Sequence, residues 1–123
     1  IDRSRGLGDV YKRQVKDDTN VIFEAETYFD LIRYWASERG LYDKGNTITQ
    51  YVKLQEEAGE LAKALLENDH DEINDAIGDM VVVLTNLAHI HGTDIEACIA
   101  QAYDEIKSRK GKMINGTFVK KND

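Results

Sequence analysis

Between Ala76 and Ile90 the chain is almost wholly apolar, and Ile77, Met80, Val81, Leu84, Leu87 and Ala88 recur at helical spacing, with Ile73 one turn earlier. A single carboxylate, Asp79, stands inside that run. A helix that is apolar around most of its circumference has to be buried against other helices. A charged carboxylate beside such a surface carries a large desolvation penalty unless it is protonated, paired with a base or bound to a metal ion. This one segment therefore constrains both the architecture and the chemistry.

The rest of the sequence extends the helical pattern, and it contains no proline to interrupt it. A first helix is expected from Ile22 to Arg39, where Phe23, Tyr28, Leu31, Ile32 and Trp35 recur at helical spacing and Gly40 closes the end. Leu41 to Asn46 reads as a loop. Asn46 or Thr47 caps a second helix that reaches Asn68, and a polar turn leads into a third helix from Asp71 to His91, ended by Gly92. Thr93 or Asp94 caps a fourth, which runs to Arg109 before Gly111 breaks it. Asn115-Gly116 lies between the apolar pairs Met113-Ile114 and Phe118-Val119, a strong hairpin signal. The predicted fold is all-α, a four-helix bundle with a short C-terminal β-hairpin.

Its 123 residues suggest one domain. Ile1 to Gln14 lacks apolar periodicity, and Asp9 to Gln14 resembles a translated transposase mosaic end. Residues 1–14 are therefore expected to be a non-native or disordered arm, with 15–123 as the helical domain. No apolar run approaches the roughly 20 residues that span a bilayer, and the first residues lack the apolar core of a signal peptide. The lone cysteine, Cys98, reads as a core thiol on a packed helix face. A reducing, cytoplasmic location is expected. The net charge of −7 argues against binding to duplex nucleic acid, which calls for a basic footprint. It leaves open a nucleotide held through a cation.

On the second helix, Lys53, Glu56, Glu57 and Glu60 share an arc of roughly 100°, beside an apolar stripe of Leu54, Ala58, Leu61 and Leu65. Gly59 sits mid-helix, where it costs roughly 0.5–1 kcal/mol relative to alanine and permits close approach of a helix or ligand. On the third, Glu72, Asp75, Asp79 and Asn86 fall within roughly 60°. Two acidic arcs on successive antiparallel helices can face one cavity. The carboxylates outnumber the nearby bases, and all-oxygen ligands favour a hard cation, Mg²⁺ or alternatively Mn²⁺. Lys53, Lys107, Arg109 and Lys110 are candidate phosphate-neutralising cations; for the last three, complementing a helix C-terminus is an equal alternative. Trp35 and Gln50 are candidate contacts for a base. His89 and His91 read as structural, and His70 as exposed in a turn.

Glu56-Glu57-Ala58-Gly59-Glu60, followed by Gly78-Asp79, an apolar run and Asn86-Leu87-Ala88, resembles the signature of the MazG-like all-α nucleoside triphosphate pyrophosphohydrolases, in the compact phage and mobile-element form. The resemblance extends from about Phe23 to Val119. It implies a Mg²⁺-dependent enzyme that cleaves a (d)NTP to the (d)NMP and pyrophosphate, in nucleotide-pool sanitation or control. It further implies a homodimer or homotetramer with a site shared between subunits. Glu57, Glu60 and Asp79 would be metal ligands, and Glu56 is left to bind a second metal or to orient the attacking water. The family's usual fourth ligand, a Glu three residues before the Asp, is Ala76 here, which leaves Asp75 and Glu72 as candidates for that role. The alternative is a non-catalytic helical interaction or regulatory dimer, in which Glu57, Glu60 and Asp79 are ion-paired and Mg²⁺ changes nothing.

Overall fold

A computed structural model describes residues 13–16 and 22–122. Residues 1–12 of the expected N-terminal arm lie outside the described residues, while Arg13 and Gln14 belong to a strand. That strand, β1 (Arg13–Lys16), pairs antiparallel with β2 (Ile22–Ala25), so that Arg13 faces Ala25 and Lys16 faces Ile22. Five helices follow: α1 (Tyr28–Glu38), the single-turn α2 (Leu41–Lys44), α3 (Thr47–Glu67), α4 (His70–Ile90) and α5 (Ile95–Ile106). A second hairpin, β3 (Gly111–Ile114) with β4 (Thr117–Lys120), ends the described chain.

The long helices begin and end where their caps dictate. Asn46 accepts a 2.8 Å bond from the Thr49 amide at the start of α3. Asp69 does the same for Glu72 in α4, and Asp94 for Ala97 in α5. Between α3 and α4 the chain reverses over Asn68, which takes the left-handed conformation (φ 54°) at the C-cap, and a two-residue turn makes the helices antiparallel neighbours.

Three boundaries differ from expectation. The first helix starts six residues later than predicted, at Tyr28, because Thr27 and Asp30 form a capping box: Thr27 Oγ1 accepts from the Asp30 amide and Asp30 Oδ2 from the Thr27 amide. The preceding Ile22–Ala25 pairs as a strand instead. The expected loop contains the turn α2. The last helix stops at Ile106 rather than Arg109, where the Arg109 amide bonds back to the Ile106 carbonyl and the chain turns into β3.

Packing is densest between α3 and α4; α1 also packs on α4, and α5 does so more loosely. The core holds mainly small side chains, Ala36, Ala64, Ala76, Val83 and Ala88, together with the polar Thr85 and Asn86. Much of the apolar surface expected to be buried is exposed in the single chain, Ile77, Val81 and Leu84 on α4 and Leu65 on α3; Ile99, Tyr103 and Ile106 on α5 are exposed as well. Cys98, expected in the core, is exposed on α5. Helix periodicity located the apolar faces; it could not say whether the covering surface belongs to the same chain.

The C-terminal hairpin follows its turn chemistry. Asn115 (φ 50°) and Gly116 (φ 79°) both take positive φ, as a two-residue turn matched to strand twist requires. Gly111 is needed for a different reason: a Cβ there would come within 2.7 Å of Phe118 Cζ and closer still to the Val119 carbonyl oxygen. Gly111→Ala is expected to destabilise the hairpin by about 1–3 kcal/mol through overpacking. Hydrogen exchange at the Lys121 amide, which bonds to the Lys110 carbonyl at 2.8 Å, should then be markedly faster. Unchanged protection would show that the ring and the Val119 carbonyl both move aside at little cost.

Candidate functional site

Antiparallel packing of α3 against α4 brings the two acidic arcs together. Glu57 is the one carboxylate in the buried polar set, with 7% of its surface exposed. Its Oε1 lies 3.4 Å from Lys53 Nζ, one turn back on the same helix. Its Oε2 is buried with no hydrogen-bond partner. A buried, half-satisfied carboxylate is costly.

Asp79, half-buried on α4, faces the same place. Burial raises its carboxyl above the ordinary range, the charges of Asp75 and Glu57 and a hydrogen bond with Asp75 push it further, and Lys53 opposes them. These couplings put Glu57, Lys53, Asp75 and Asp79 in one neighbourhood. Lys53 also reaches Glu56 Oε2 at 3.4 Å, and the charge of Glu56, followed by its bonds to Glu57 and Glu56, raises the lysine's affinity for its proton. One base thus serves a group of four carboxylates.

The remaining candidates are distributed as follows. Glu60 and Glu72 are exposed on α3 and in the first turn of α4. Among the described residues no three His, Cys, Asp or Glu side chains already surround a common metal position. The carboxylates are neighbours rather than a closed cage. Asn86 lies two turns beyond Asp79, is 2% exposed, and accepts a 2.7 Å bond from the Tyr42 hydroxyl through Oδ1. Its carbonyl oxygen therefore serves the fold. Gln50 is half-buried in the first turn of α3. The Trp35 ring is exposed on α1 with the Arg39 guanidinium 4.6 Å from its centroid. Lys107 pairs with Asp104 at 3.1 Å, while Arg109 and Lys110 line a cavity beside the hairpin. Arg109 and Lys110 share that cavity with no residue of α3 or α4.

Sequence reading missed Tyr42. Its ring stacks on His89 at 3.9 Å, its hydroxyl holds Asn86, and burial pushes that hydroxyl up to about 12. It also missed Arg33, whose guanidinium grips both oxygens of Glu96 at 2.7 Å and Asp30 at 2.8 Å, tying α1 to the start of α5. Both partnerships bridge distant parts of the sequence, and no local pattern announces them.

The family model of the MazG nucleotide pyrophosphohydrolase domain matches residues 45–114, from the start of α3 through β3. The chain belongs to this family. MazG-family enzymes generally use divalent metals, and the matched segment contains the whole carboxylate group. An uncharacterized 18.2 kDa protein from the rep-hol intergenic region of Haemophilus phage HP1 (strain HP1c1) is 42% identical over 57 residues, which is 46% of this chain and 35% of that protein. The chain thus spans well under two thirds of that relative. No solved structure matches. Among the described residues no helix is long and apolar enough to cross a membrane.

Proposed function

We propose that this MazG-family chain is a Mg²⁺-dependent pyrophosphohydrolase that cleaves a (d)NTP to the (d)NMP and pyrophosphate, serving nucleotide-pool sanitation or control in the cytoplasm. The reading rests first on the orphaned Oε2 of Glu57, which shares a neighbourhood with Asp79 and Asp75 and has a single cation, Lys53, nearby. Charge balance and an all-oxygen donor set favour Mg²⁺, with Mn²⁺ as the alternative. Glu57, Asp79 and Asp75 would hold it, with Glu60 and Glu72 on the exposed side of the same helices. An open group suits Mg²⁺, which binds through one or two carboxylates and keeps its remaining positions for water and phosphate. When bound, the ion would neutralise charge on the phosphates and lower the pKa of a coordinated water. Glu56, exposed beside Lys53, would bind a second metal or orient the attacking water. Lys53 supplies positive charge to the phosphate chain. Gln50 and Trp35 would contact the base, and residues 15–123 would form the domain.

Pyrophosphate release from a panel of canonical and modified NTPs and dNTPs is expected with Mg²⁺ and absent with EDTA. A flat panel from folded protein, with no Mg²⁺-linked rise in Tm, would instead support a non-catalytic helical dimer, a reading favoured by the Lys53 ion pairs on Glu56 and Glu57.

The assembly is proposed to be a homodimer or homotetramer. Ile99, Tyr103 and Ile106 form an uncovered stripe on α5, beside Ile77, Val81 and Leu84 on α4. Contiguous apolar patches of this kind mark interaction surfaces. Light scattering should give a multiple of 14.0 kDa, and Tyr103→Glu should shift it toward the monomer. A wild-type monomer at all concentrations would refute the assembly.

A further inference from the structure

Tyr42 lies outside the segment that the family model matches, on the single turn α2. Two side chains of α4 hold it. Its ring stacks on His89 at 3.9 Å, and its hydroxyl donates to Asn86 Oδ1 at 2.7 Å. This bond decides which way the Asn86 amide points. The oxygen and nitrogen ends of an amide have nearly the same shape, so hydrogen bonds choose between them. With Oδ1 held by Tyr42, the Nδ2 group faces away from that hydroxyl. Nδ2 has no hydrogen-bond acceptor among the described residues. Asn86 is nearly buried, yet Glu57 Oε2 is the one fully enclosed side-chain atom without a partner among the described residues, so Nδ2 reaches an opening. Two N–H donors at so buried a residue are costly unless an acceptor meets them.

Helix register says where that opening lies. Glu57 on α3 couples to Asp79 on α4. The two helices are antiparallel neighbours, so Gln50, seven residues before Glu57, and Asn86, seven after Asp79, share a level. Seven residues is close to two turns, which keeps each amide on the face of its carboxylate and about 10.5 Å along the axis from it. A nucleotide whose phosphates meet Glu57 and Asp79 extends its sugar and base over such a distance, and both offer oxygens or ring nitrogens that accept hydrogen bonds. The opposite direction leads to Glu60 and Glu72, which offer acceptors only. We propose, on the nucleotide reading above, that Tyr42 is a positioning residue: it fixes Asn86 so that the amide N–H groups donate to an acceptor on the nucleoside part of a bound nucleotide, with Gln50 at the same level. A site built to hydrogen-bond its ligand rejects analogues that lack the matching atom, so Tyr42 sets selectivity without touching the ligand.

The test is calorimetric titration of the full chain in Mg²⁺ with a panel of ribo- and deoxyribonucleoside monophosphates and with inorganic tripolyphosphate. The wild type is expected to prefer some monophosphates over others. Tyr42→Phe keeps the ring on His89 and removes the bond to Asn86. It should weaken the preferred monophosphate by about tenfold and narrow its lead over the rest, with circular dichroism and tripolyphosphate affinity unchanged. Asn86→Asp puts an acceptor where the donors were and should lose the same preference with the tyrosine in place, which carries the test should the phenylalanine variant not fold. The proposal is overturned if the wild type binds no monophosphate or all of them alike, or if either variant keeps the preference. It is also overturned if Tyr42→Phe weakens tripolyphosphate and every monophosphate equally, as a merely structural role would. Tyr42-dependent selectivity in a protein that releases no pyrophosphate would sink the enzyme reading and leave the positioning role standing; pyrophosphate release with selectivity independent of Tyr42 would do the reverse.

Discussion

Asp79→Asn is expected to abolish pyrophosphate release while leaving the metal-free protein as stable as the wild type or more so. The two effects share a cause. Without metal, folding brings Asp79 out of water and beside Asp75 and Glu57, and its carboxyl is raised accordingly. An acid whose folded pKa is raised destabilises the fold wherever it is ionised, and that penalty fades as pH falls through the raised value. Replacing the charge with an amide removes the penalty. With metal the balance reverses, because a divalent cation needs the ionised form. Changes to outer-shell partners of metal ligands cost about 10–100-fold, so removal of a direct ligand should cost roughly 100-fold or more. The Mg²⁺-linked rise in Tm should disappear in the variant. In the wild type it should shrink on acidification at a higher pH than an ordinary aspartate would give. Pyrophosphate release at near wild-type rate from Asp79→Asn would remove this residue from the proposed site.

Arg33→Met is expected to cost about 1–2 kcal/mol at neutral pH, a charged-hydrogen-bond value discounted for the solvent around Glu96. Arg33 is mostly buried, with 17% of its side chain exposed, and it holds Asp30 and Glu96 together. The bond to Arg33 holds the Glu96 carboxyl below its ordinary range against burial. Burial raises the Asp30 carboxyl, but the bonds from Arg33 and from the Glu26 and Thr27 amides outweigh it and lower it overall. Carboxylates with depressed folded pKa contribute stability that is complete above their ordinary values and lost as pH falls through the depressed ones. The difference between wild type and variant in urea denaturation should therefore be full at neutral pH and shrink below about pH 4. Since α5 is packed loosely, its amides should exchange fastest in the variant. Equal stability of the two proteins at neutral pH would show that packing alone holds α5 in place.

Most of what depends on neighbours within a few residues was legible in the sequence. The α3 and α4 spans followed from apolar period and caps, the hairpin from Asn115-Gly116, and the acidic arcs from helical spacing alone. The capping box that delays α1 is local too: Thr27 and Asp30 stand three residues apart, and the apolar spacing of Phe23 and Tyr28 outweighed them in the prediction. Only the tertiary structure decided what meets across the fold. It buried Glu57 with one oxygen unpartnered, brought Glu57 up to Asp79, and committed Asn86 to Tyr42 across 44 positions of chain. It also left α5 uncovered and gathered Lys120 and Lys121 with Arg109 and Lys110 at the hairpin root. The reason is physical. Helix period and capping are set by backbone geometry within a turn or two, whereas desolvation, ion pairing and the covering of an apolar face depend on which surfaces the folded chain brings together.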